Sequence, residues 1–320
     1  MSAADAAEYS RRIRDAAGRY QSDEVLQRAV ADGVVAPPQG RFLYRYEIRR
    51  NGAPTVVGIV GVAAAAHLIP HEDTIEHAPD HPAPGIEIRP ILAIVEDPLP
   101  AFEAVGDTVT AIAEDGARHE LAAVDPGASI PFDDAVIADG HHRRRAVIAT
   151  RGADATVLTM VVGGGGAGLE AGTFHRVFSR VSPLPAAAGE VFEIEPMASP
   201  AVVPGALVWV DGASGRTFSL RPLPSAAATV DAALRGSPAA LAEALFYPLV
   251  GVSERDATHV GTWESPKENI PSAGGALLLP DVPVESVIAA ARAGRVLPPK
   301  ASRFRPKPLR GMVLRRVEGR

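Results

Sequence analysis

The sequence predicts an α+β fold, with an α/β fold as the alternative. Runs of β-branched and apolar residues, bounded by Gly, Pro and Asn, alternate with a few segments of helical periodicity. Of the 320 residues, 47% are hydrophobic and 22% are charged, which is typical of a folded globular protein. A chain of this length buries a large core and has room for two domains. We expect one domain over residues 1–184 and a C-terminal α/β region over residues 185–320.

Local patterns predict the elements of the first domain. Two helices are expected at residues 4–20 and 23–32. A β-hairpin follows within residues 41–63, because Asn51-Gly52 can supply the positive φ angles of a tight turn. The remaining expected elements are strands at 86–95 and 108–115, a strand–turn–helix unit at 135–150, and a strand at 156–162.

The C-terminal region has a different composition. Residues 182–205 are rich in Pro and Ala, which indicates a linker or an irregular connection. A hairpin is expected around Asp211-Gly212, and the last residues are strongly basic and interrupted by Pro. The remaining expected elements are helices at 228–247 and 283–293 and a strand at 275–280.

Composition excludes several classes of function. The chain has no Cys, which excludes disulfides, thiolate nucleophiles, iron–sulfur clusters and cysteine zinc sites. The formal net charge of −6 at pH 7 argues against a protein that coats nucleic acid. No apolar run is long enough to cross a bilayer, and the N-terminal residues lack the apolar core of a signal peptide. We expect a cytoplasmic protein with no membrane partner.

One segment, "ADGHHRRRA" at residues 138–146, predicts an anion site. A strand that ends in Asp139-Gly140 and continues into a helix leaves backbone N–H groups at the helix N-terminus, where the dipole favours an anion. Gly140 permits close approach of the backbone to a ligand, and His142 and Arg143 add donors suited to phosphate. Asp139 could hold a metal ion or orient an imidazole. The alternative is a solvated basic first turn without a ligand, which the helix dipole disfavours.

Four other segments are candidates for a metal, phosphate or catalytic site. The polar segment 67–81 lacks the spacing of a zinc protease and is either a metal site or a solvated loop. The glycine run 163–168 lacks the Gly-Lys-Ser/Thr ending of a nucleotide-binding P-loop. His175-Arg176 is either a functional pair or a buried histidine beside a surface arginine. The basic tail offers Lys300, Ser302, Arg303, Arg305 and Lys307, for phosphate binding or for solubility alone.

Taken in order, these motifs resemble those of a known family. The segments "HEDT", "ADGHHRRRA", "GLEAGTFHRVF" and "GRVLPPKASRFRPKPLRGMV" look like the successive motifs of the domain-of-unknown-function family numbered 1015. The match runs in register from about residue 42 to residue 317, and its Asp-Gly-His-His-Arg and Pro-Pro-Lys elements are the most specific. The family is distantly similar to the ParB/sulfiredoxin superfamily. The resemblance therefore implies a mixed-sheet ParB/sulfiredoxin-like core.

The resemblance also implies an activity. The Gly-x-x-Arg box of the superfamily binds nucleotide phosphates at a helix N-terminus, and some relatives are kinases of free L-serine. We therefore expect a phosphotransferase that uses ATP or pyrophosphate, with Mg²⁺, to phosphorylate a small hydroxylated metabolite such as L-serine. The alternative is a non-catalytic, ParB-like protein that binds nucleotide or phosphate. A nucleic-acid binder is disfavoured by the net charge, and a homo-oligomer is left open.

The resemblance assigns roles residue by residue. Glu72 follows an early strand, as does the glutamate that serves as base in the ParB-like serine kinases. His141 stands where sulfiredoxin has a cysteine, so sulfinate reduction is excluded. The expected catalytic residues are Glu72, Asp139 and His141, with Asp139 also a ligand of Mg²⁺. The expected donor-binding residues are Gly140, His142, Arg143, His175, Arg176, Lys300, Ser302 and Lys307.

The chain departs from the family pattern at three places. The usual Pro-Tyr-Asp segment does not precede the first expected helix. Thr173 replaces a proline before Phe-His-Arg, and Ala301 replaces a residue that carries a hydroxyl group. These departures lead us to expect a reduced or altered activity.

Overall fold

The chain folds into two compact units in a computed structural model, which describes residues 43–72, 86–124, 132, 134–262 and 270–317. The first unit comprises Met1–Ile69, Glu76–Leu169 and Pro306–Arg320, and the second comprises Pro70–Ile75 and Glu170–Arg305. Both units combine sheets with short helices, which confirms the predicted α+β class. The domain boundary expected after residue 184 stays a prediction. The helices expected at 4–20 and 23–32 lie outside the described residues.

The first unit is built on a seven-stranded sheet. The first eight strands of this unit, of which all but β3 belong to the large sheet, are β1 (Leu43–Arg49), β2 (Val56–Ala64), β3 (Ile86–Glu87), β4 (Ile91–Ile94), β5 (Ala104–Ile112), β6 (Arg118–Val124), β7 (Val136–Asp139) and β8 (Thr156–Val162). The large sheet has the order β5-β6-β1-β2-β8-β4-β7. Its neighbouring strands run antiparallel except β4 and β8, which run parallel, so the sheet is mixed as expected.

The hairpin expected from the sequence is formed by β1 and β2, which pair antiparallel. Its connection, residues 50–55, is longer than a two-residue turn. Gly52 has a φ of 71°, but Asn51 does not have the positive φ that we expected for it. Strand β8 lies at its expected residues, whereas Pro90 separates the expected strand 86–95 into β3 and β4.

Helix α1 (His141–Arg151) follows β7 after the single residue Gly140, which confirms the expected strand–turn–helix unit. Val147 faces the core from this helix and is 1% exposed. It belongs to an apolar cluster that includes Ile91 and Ile137 from the sheet. This packing fixes the position of the helix on the first unit, and with it the position of the helix N-terminus.

The second unit is built on a six-stranded sheet in which all neighbours run antiparallel. The strands of this unit are β9 (Glu170–Gly172), β10 (His175–Phe178), β11 (Phe192–Met197), β12 (Leu207–Asp211), β13 (Thr217–Pro222), β14 (Ala257–Val260), β15 (Gly275–Leu278) and β16 (Arg303–Arg305). The large sheet has the order β11-β13-β12-β15-β10-β14, and β9 pairs separately with β16. Strand β11 lies in the segment expected to be a linker, where Phe192 is buried.

The helices of the second unit are short. Among the described residues they are α2 (Pro224–Ala227), α3 (Pro238–Leu241), α4 (Tyr247–Val250) and α5 (Val284–Arg292), with the π-helical Ala242–Phe246 between α3 and α4. The single helix expected at 228–247 is confirmed only in its second half. Residues 228–237 are not helical, and Pro238 begins α3 after the N-cap Ser237, from which the chain stays helical to Val250. Helix α5 lies where we expected it. No helix in the described part of the chain is long and apolar enough to span a membrane.

The C-terminal segment of the first unit is fixed on its sheet. Strand β17 (Arg315–Arg316) pairs antiparallel with β3. The backbone N–H of Leu309 donates to the hydroxyl oxygen of Tyr46 at 3.0 Å, and that oxygen lies 2.9 Å from Nδ1 of His119. Nδ1 of a neutral His119 can accept the hydroxyl proton of Tyr46 while the Tyr46 oxygen accepts from Leu309. Both side chains are buried, so this hydrogen-bonded group holds the C-terminal segment from within the unit.

We expect the protein to become less stable as the pH is lowered, because the buried His119 resists protonation. Burial lowers the pKa of this side chain from 6.5 to about 4. Between these values the unfolded chain binds a proton that the folded chain does not, so the free energy of unfolding falls as the pH is lowered. A shift of this size corresponds to about 3 kcal/mol. In urea unfolding, the free energy of unfolding of wild type should fall by this amount, relative to that of His119→Asn, between pH 6.5 and pH 4, because the Asn side chain cannot titrate. A difference between the two proteins that does not depend on pH would contradict a neutral, buried ring.

Candidate functional site

The first candidate site lies in the first unit, where β7 meets α1. Asp139 is the last residue of β7, and Gly140 is the N-cap of α1 with a φ of 116°, a conformation that favours glycine. Gly140 offers no capping side chain, and the first turn of α1 contains no acidic residue. The dipole at this end is therefore not offset by side chains of the helix itself and favours an anion. His141 and His142 are the first two helix residues, and His142 is exposed.

Arg143 folds back from α1 onto Asp139. Its Nη2 donates to Oδ2 of Asp139 at 3.1 Å, and its Nη1 donates to the carbonyl oxygen of Arg89. The ammonium group of Lys307 donates to Oδ1 of Asp139 at 2.5 Å, and Nη2 of Arg89 lies 3.8 Å from Oδ2. The Asp139 cluster consists of Arg89, Asp139, Gly140, Arg143 and Lys307.

The Asp139 cluster has an excess of positive charge. Burial raises the pKa of Asp139, but the charges of Arg89, Lys307 and Arg143 outweigh it and hold this pKa at about 2. Burial lowers the pKa of Arg143 to about 10, so that its guanidinium is still charged at neutral pH. One carboxylate thus lies among three cations, and the side chains of Arg143 and Lys307 are 31% and 34% exposed. Partly exposed arginine and lysine side chains in this arrangement suit a phosphate.

The same arrangement does not suit a metal ion at Asp139. Both carboxylate oxygens already accept from cationic groups, and those groups would repel a divalent ion. Within the described residues, no group of three His, Asp or Glu side chains is placed to hold a metal. The expected role of Asp139 as a ligand of Mg²⁺ stays a prediction, and we derive no step through a metal there.

The second candidate site lies in the second unit and is centred on Glu72. Its Oε1 accepts a hydrogen bond from the backbone N–H of Lys300 at 2.7 Å, and its side chain is 14% exposed. The backbone of Glu72 pairs with Leu297, whose N–H donates to the carbonyl oxygen of His71. Lys300 has a φ of 57°, which is rare for a residue with a side chain and marks a constrained turn. Residues 73–81 of the expected polar cluster lie outside the described residues.

The carboxyl group of Glu72 can exchange a proton near neutral pH. Burial raises its pKa to about 7, although the N–H and the charge of Lys300 act in the opposite direction. The backbone N–H of Ser302 and the charge of Arg176 also lower it, by smaller amounts. A general base is most effective when its pKa lies close to the working pH. The surroundings of Glu72 therefore give this carboxyl group the property that a catalytic base needs.

Ser302 and His71 form a buried pair beside Glu72. The hydroxyl oxygen of Ser302 lies 2.7 Å from Nε2 of His71, and that nitrogen lies 4.0 Å from Oε2 of Glu72. The tail keeps the hydroxyl group of Ser302, which contacts His71, and lacks only the hydroxyl group that the family carries at the position of Ala301. Ala301 itself is fully buried. The Glu72 cluster consists of His71, Glu72, Arg176, Lys300 and Ser302.

Arg176 holds the turn to which Lys300 belongs. Its guanidinium donates to the carbonyl oxygens of Pro299 at 3.0 Å and Lys300 at 3.3 Å. His175 accepts the backbone N–H of Leu279 at Nδ1, at 3.2 Å. The alternative of a buried histidine beside a surface arginine is wrong for Arg176, which is 0% exposed. Both of its Nη atoms donate inside the unit, whereas its buried Nε has no hydrogen-bond partner among the described residues. Direct contact of either residue with a phosphate donor stays a prediction.

The glycine run at 163–168 uses its backbone N–H groups within the first unit. Gly164 and Gly165 donate to the carbonyl oxygens of Asp97 and Val95 at 2.9 and 3.0 Å. These donors are therefore not directed at a ligand, which agrees with the missing P-loop ending.

Two residues were not expected from the sequence: Arg89 of the Asp139 cluster, and Glu254, which contacts Arg176 of the Glu72 cluster. Arg89 interrupts an apolar strand segment beside Pro90, and that contrast is a signal that could have indicated it. Glu254 accepts from Nη2 of Arg176 at 3.0 Å across 78 positions of sequence. No local pattern marks Glu254, so sequence reasoning had no signal for it.

Fold and clusters together define an α+β protein with a cation-rich helix N-terminus and a buried carboxyl group that titrates near neutrality. A family model described as "Protein of unknown function (DUF1015)" matches residues 5–232, and the chain belongs to this family. The resemblance inferred from the motifs is thereby confirmed. No curated protein matches the chain.

Several solved structures are distantly similar to this chain. A conserved hypothetical protein from Pyrococcus furiosus has 15% identity and a TM-score of 0.42, covering 78% of this chain and 91% of that chain. A mutant of a free serine kinase in complex with ADP has 14% identity and a TM-score of 0.41, covering 80% and 91%. A C-terminally truncated SbnI from Staphylococcus aureus has 10% identity and a TM-score of 0.44, covering 78% and 85%. These similarities are too distant to support an argument about function.

Replacement of Gly140 by alanine is expected to displace Arg143. A Cβ there would lie 2.8 Å from Nη2 of Arg143 and 2.9 Å from Cγ1 of Ile91, at a φ that alanine rarely adopts. We expect a destabilisation of about 1–3 kcal/mol and weaker binding of pyrophosphate in titration calorimetry. The matched control is Gly152→Ala at the other end of α1, where φ is 91° and a Cβ meets nothing within 4 Å. Unchanged pyrophosphate affinity in folded Gly140→Ala would contradict the assigned role of Arg143.

Proposed function

We propose that the protein is a small-molecule kinase, which transfers a phosphoryl group from ATP or pyrophosphate to the hydroxyl group of a small metabolite, with free L-serine as the acceptor. The observation that best supports this proposal is the buried carboxyl group of Glu72, which has a pKa of about 7 and is held by the N–H of Lys300. The motif resemblance to family 1015, which implies a distant relationship to kinases of free L-serine, supports the choice of acceptor. The cation-rich Asp139 cluster supports a phosphate-containing donor.

In this proposal Glu72 is the general base. A neutral hydroxyl group is a poor nucleophile, and a positioned carboxylate that accepts its proton makes it a better one. The hydroxyl oxygen forms a bond to the terminal phosphorus of the donor, while the bond from that phosphorus to the leaving oxygen breaks with its electron pair. The proton passes to the carboxylate of Glu72. The products are the phosphorylated acceptor and ADP or, from pyrophosphate, orthophosphate.

The donor phosphates are assigned to the Asp139 cluster and the first turn of α1. Arg143 is fixed in advance by Asp139 and by the carbonyl oxygen of Arg89, so little side-chain freedom is lost when it binds a phosphate. Lys307 and the exposed His142 add donors beside it. His141 keeps its proposed catalytic role as the first residue of α1. Lys300 and Ser302 keep their proposed binding roles in the second unit.

A second candidate function is a phosphate-binding regulatory protein without catalysis. The observation that favours it is the occupation of both Asp139 oxygens by cationic groups, because a kinase commonly uses a carboxylate there to hold the metal of its donor. The two functions differ in their dependence on Glu72. Only the kinase needs a base.

Removal of the Arg143 guanidinium should weaken donor binding. We expect Arg143→Ala to weaken pyrophosphate or ATP binding by about 1.5–3 kcal/mol, the range for hydrogen bonds to a charged group. The matched control is Arg145→Ala, which removes an exposed arginine two residues further along the same helix and should bind as wild type. Calorimetry that finds equal affinities for a folded Arg143→Ala and for wild type would remove the phosphate assignment.

Removal of the Glu72 base should lower turnover without affecting donor affinity. We expect Glu72→Gln to lower kcat by a factor on the order of 10²–10⁴, since the amide cannot accept the proton. Wild-type kcat should rise with pH through about 7, where Glu72 loses its proton. The matched control is Glu193→Gln on the exposed face of β11. Phosphorylation assays that show equal, small effects of both variants would contradict Glu72 as the base, whereas wild type that binds pyrophosphate without any turnover would favour the regulatory protein.

A further inference from the structure

A buried polar network in the second unit connects three elements through one carboxylate. Oε1 of Glu254 lies 3.0 Å from Nη2 of Arg176 and 2.6 Å from Nε2 of His259. Oε2 of Glu254 accepts the hydroxyl group of Tyr247 at 2.6 Å. The side chains of Arg176, Glu254 and His259 are 0%, 10% and 15% exposed. Both oxygens of this carboxylate are therefore committed to the interior of the unit.

Arg176 also holds the turn beside Glu72. Its guanidinium donates to the carbonyl oxygens of Phe174, Pro299 and Lys300. The last two of these carbonyls flank the backbone N–H that Lys300 donates to Glu72. Continuous contacts thus connect Glu254 to Glu72, through one guanidinium and one turn.

The contacts from Glu254 through Arg176 hold a turn whose backbone conformation is unfavourable. A residue with a side chain costs about 1–3 kcal/mol in a sparsely populated backbone conformation and persists there only when its surroundings fix it. Lys300 has such a conformation, with a φ of 57°. A buried ion pair is by itself a poor source of stability, because removing both charges from water costs as much as their attraction returns. The pair of Arg176 and Glu254 is better explained by the geometry that it imposes.

We propose that Glu254 is a positioning residue, which acts through Arg176 and the Pro299–Lys300 turn to fix the carboxyl group of Glu72. Its consequence for catalysis rests on the proposed function, whereas its consequence for the environment of Glu72 does not. Glu254 also neutralises part of the charge that Arg176 presents to Glu72. The network therefore determines both where the carboxyl group lies and how much positive charge it experiences.

The charged and titratable groups around the two carboxyls give opposite expectations for two variants. Glu72 faces His71, Lys300 and Arg176. Glu254 faces Arg176, His259, Tyr247 and the electrostatically coupled Glu243. Glu254→Gln still accepts from Arg176 but leaves its charge unneutralised, which favours ionised Glu72 and lowers the pKa. Arg176→Gln removes the charge and loosens the N–H of Lys300, and both effects raise the pKa.

The test is a titration of Glu72 by ¹³C NMR on the full chain labelled at the glutamate carboxyl carbons, with the resonance assigned from Glu72→Gln. We expect the pKa of Glu72 to fall by about one unit in Glu254→Gln and to rise by about one unit in Arg176→Gln. Glu193→Gln, which removes an exposed charge from the same unit, should leave it unchanged. If Arg176→Gln does not fold, Arg176→Gln with Glu254→Gln takes its place, since no buried charge is left unpaired, and the pKa should again rise.

Opposite shifts support the proposal, because a general loosening of the unit would move the pKa of Glu72 in one direction in both variants. Shifts of the same sign, or no shift in either variant, would overturn it. In a phosphorylation assay the acidic limb of the pH profile of kcat should move with each pKa. Opposite NMR shifts in a protein without turnover would leave the positioning role in place and reject only the kinase.

Discussion

The hydrogen bond from the backbone N–H of Lys300 to the carboxyl group of Glu72 is the contact on which the chemistry of the second unit depends. A carboxylate that is 14% exposed has lost most of its hydration, and burial drives its pKa up to about 7. This N–H stabilises the charged form in compensation and fixes one oxygen. Without that donor the pKa would be higher still, and less of the charged form that a base needs would be present at neutral pH. With a fully hydrated carboxyl, the pKa would be too low for effective proton transfer.

The Asp139 cluster has the opposite electrostatic character. Asp139 is strongly ionised there, because three cationic groups outweigh its burial and hold its pKa at about 2. Its charge is used to orient Arg143 and Lys307, whose exposed parts still offer positive charge to an anion. One carboxyl group thus serves as an anchor for cations, and the other has the pKa that its proposed role as a proton acceptor requires. Their surroundings, more than the residue types, make this difference.

Local sequence predicted the parts of the fold that depend on local physics. The β1–β2 hairpin, the β7–Gly140–α1 unit and strand β8 follow from turn residues and hydrophobic patterns a few positions apart. Only the second half of the helix expected at 228–247 forms, because Pro238 begins a helix and residues 228–237 before it are not helical.

Contacts between distant residues could not be predicted in this way. Arg176 was expected to bind a donor, but its partners Glu254 and the Pro299–Lys300 turn are 78 or more positions away and bury it. The replacement of proline by Thr173 has a structural explanation that the sequence does not reveal. The hydroxyl group of Thr173 donates to the carbonyl oxygen of the distant Pro280 at 2.6 Å inside the unit. Motif resemblance located Glu72, whereas its raised pKa follows from packing that only the folded chain shows.

The proposed activity is the transfer of a phosphoryl group to a small hydroxylated metabolite. The most direct measurement is incubation of the full chain with Mg²⁺, ATP or pyrophosphate, and a pool of small alcohols and amino acids that includes L-serine, followed by mass spectrometry. We expect O-phosphoserine together with an equal amount of ADP or orthophosphate. A complete absence of phosphorylated product, in a preparation that still binds pyrophosphate, would contradict it.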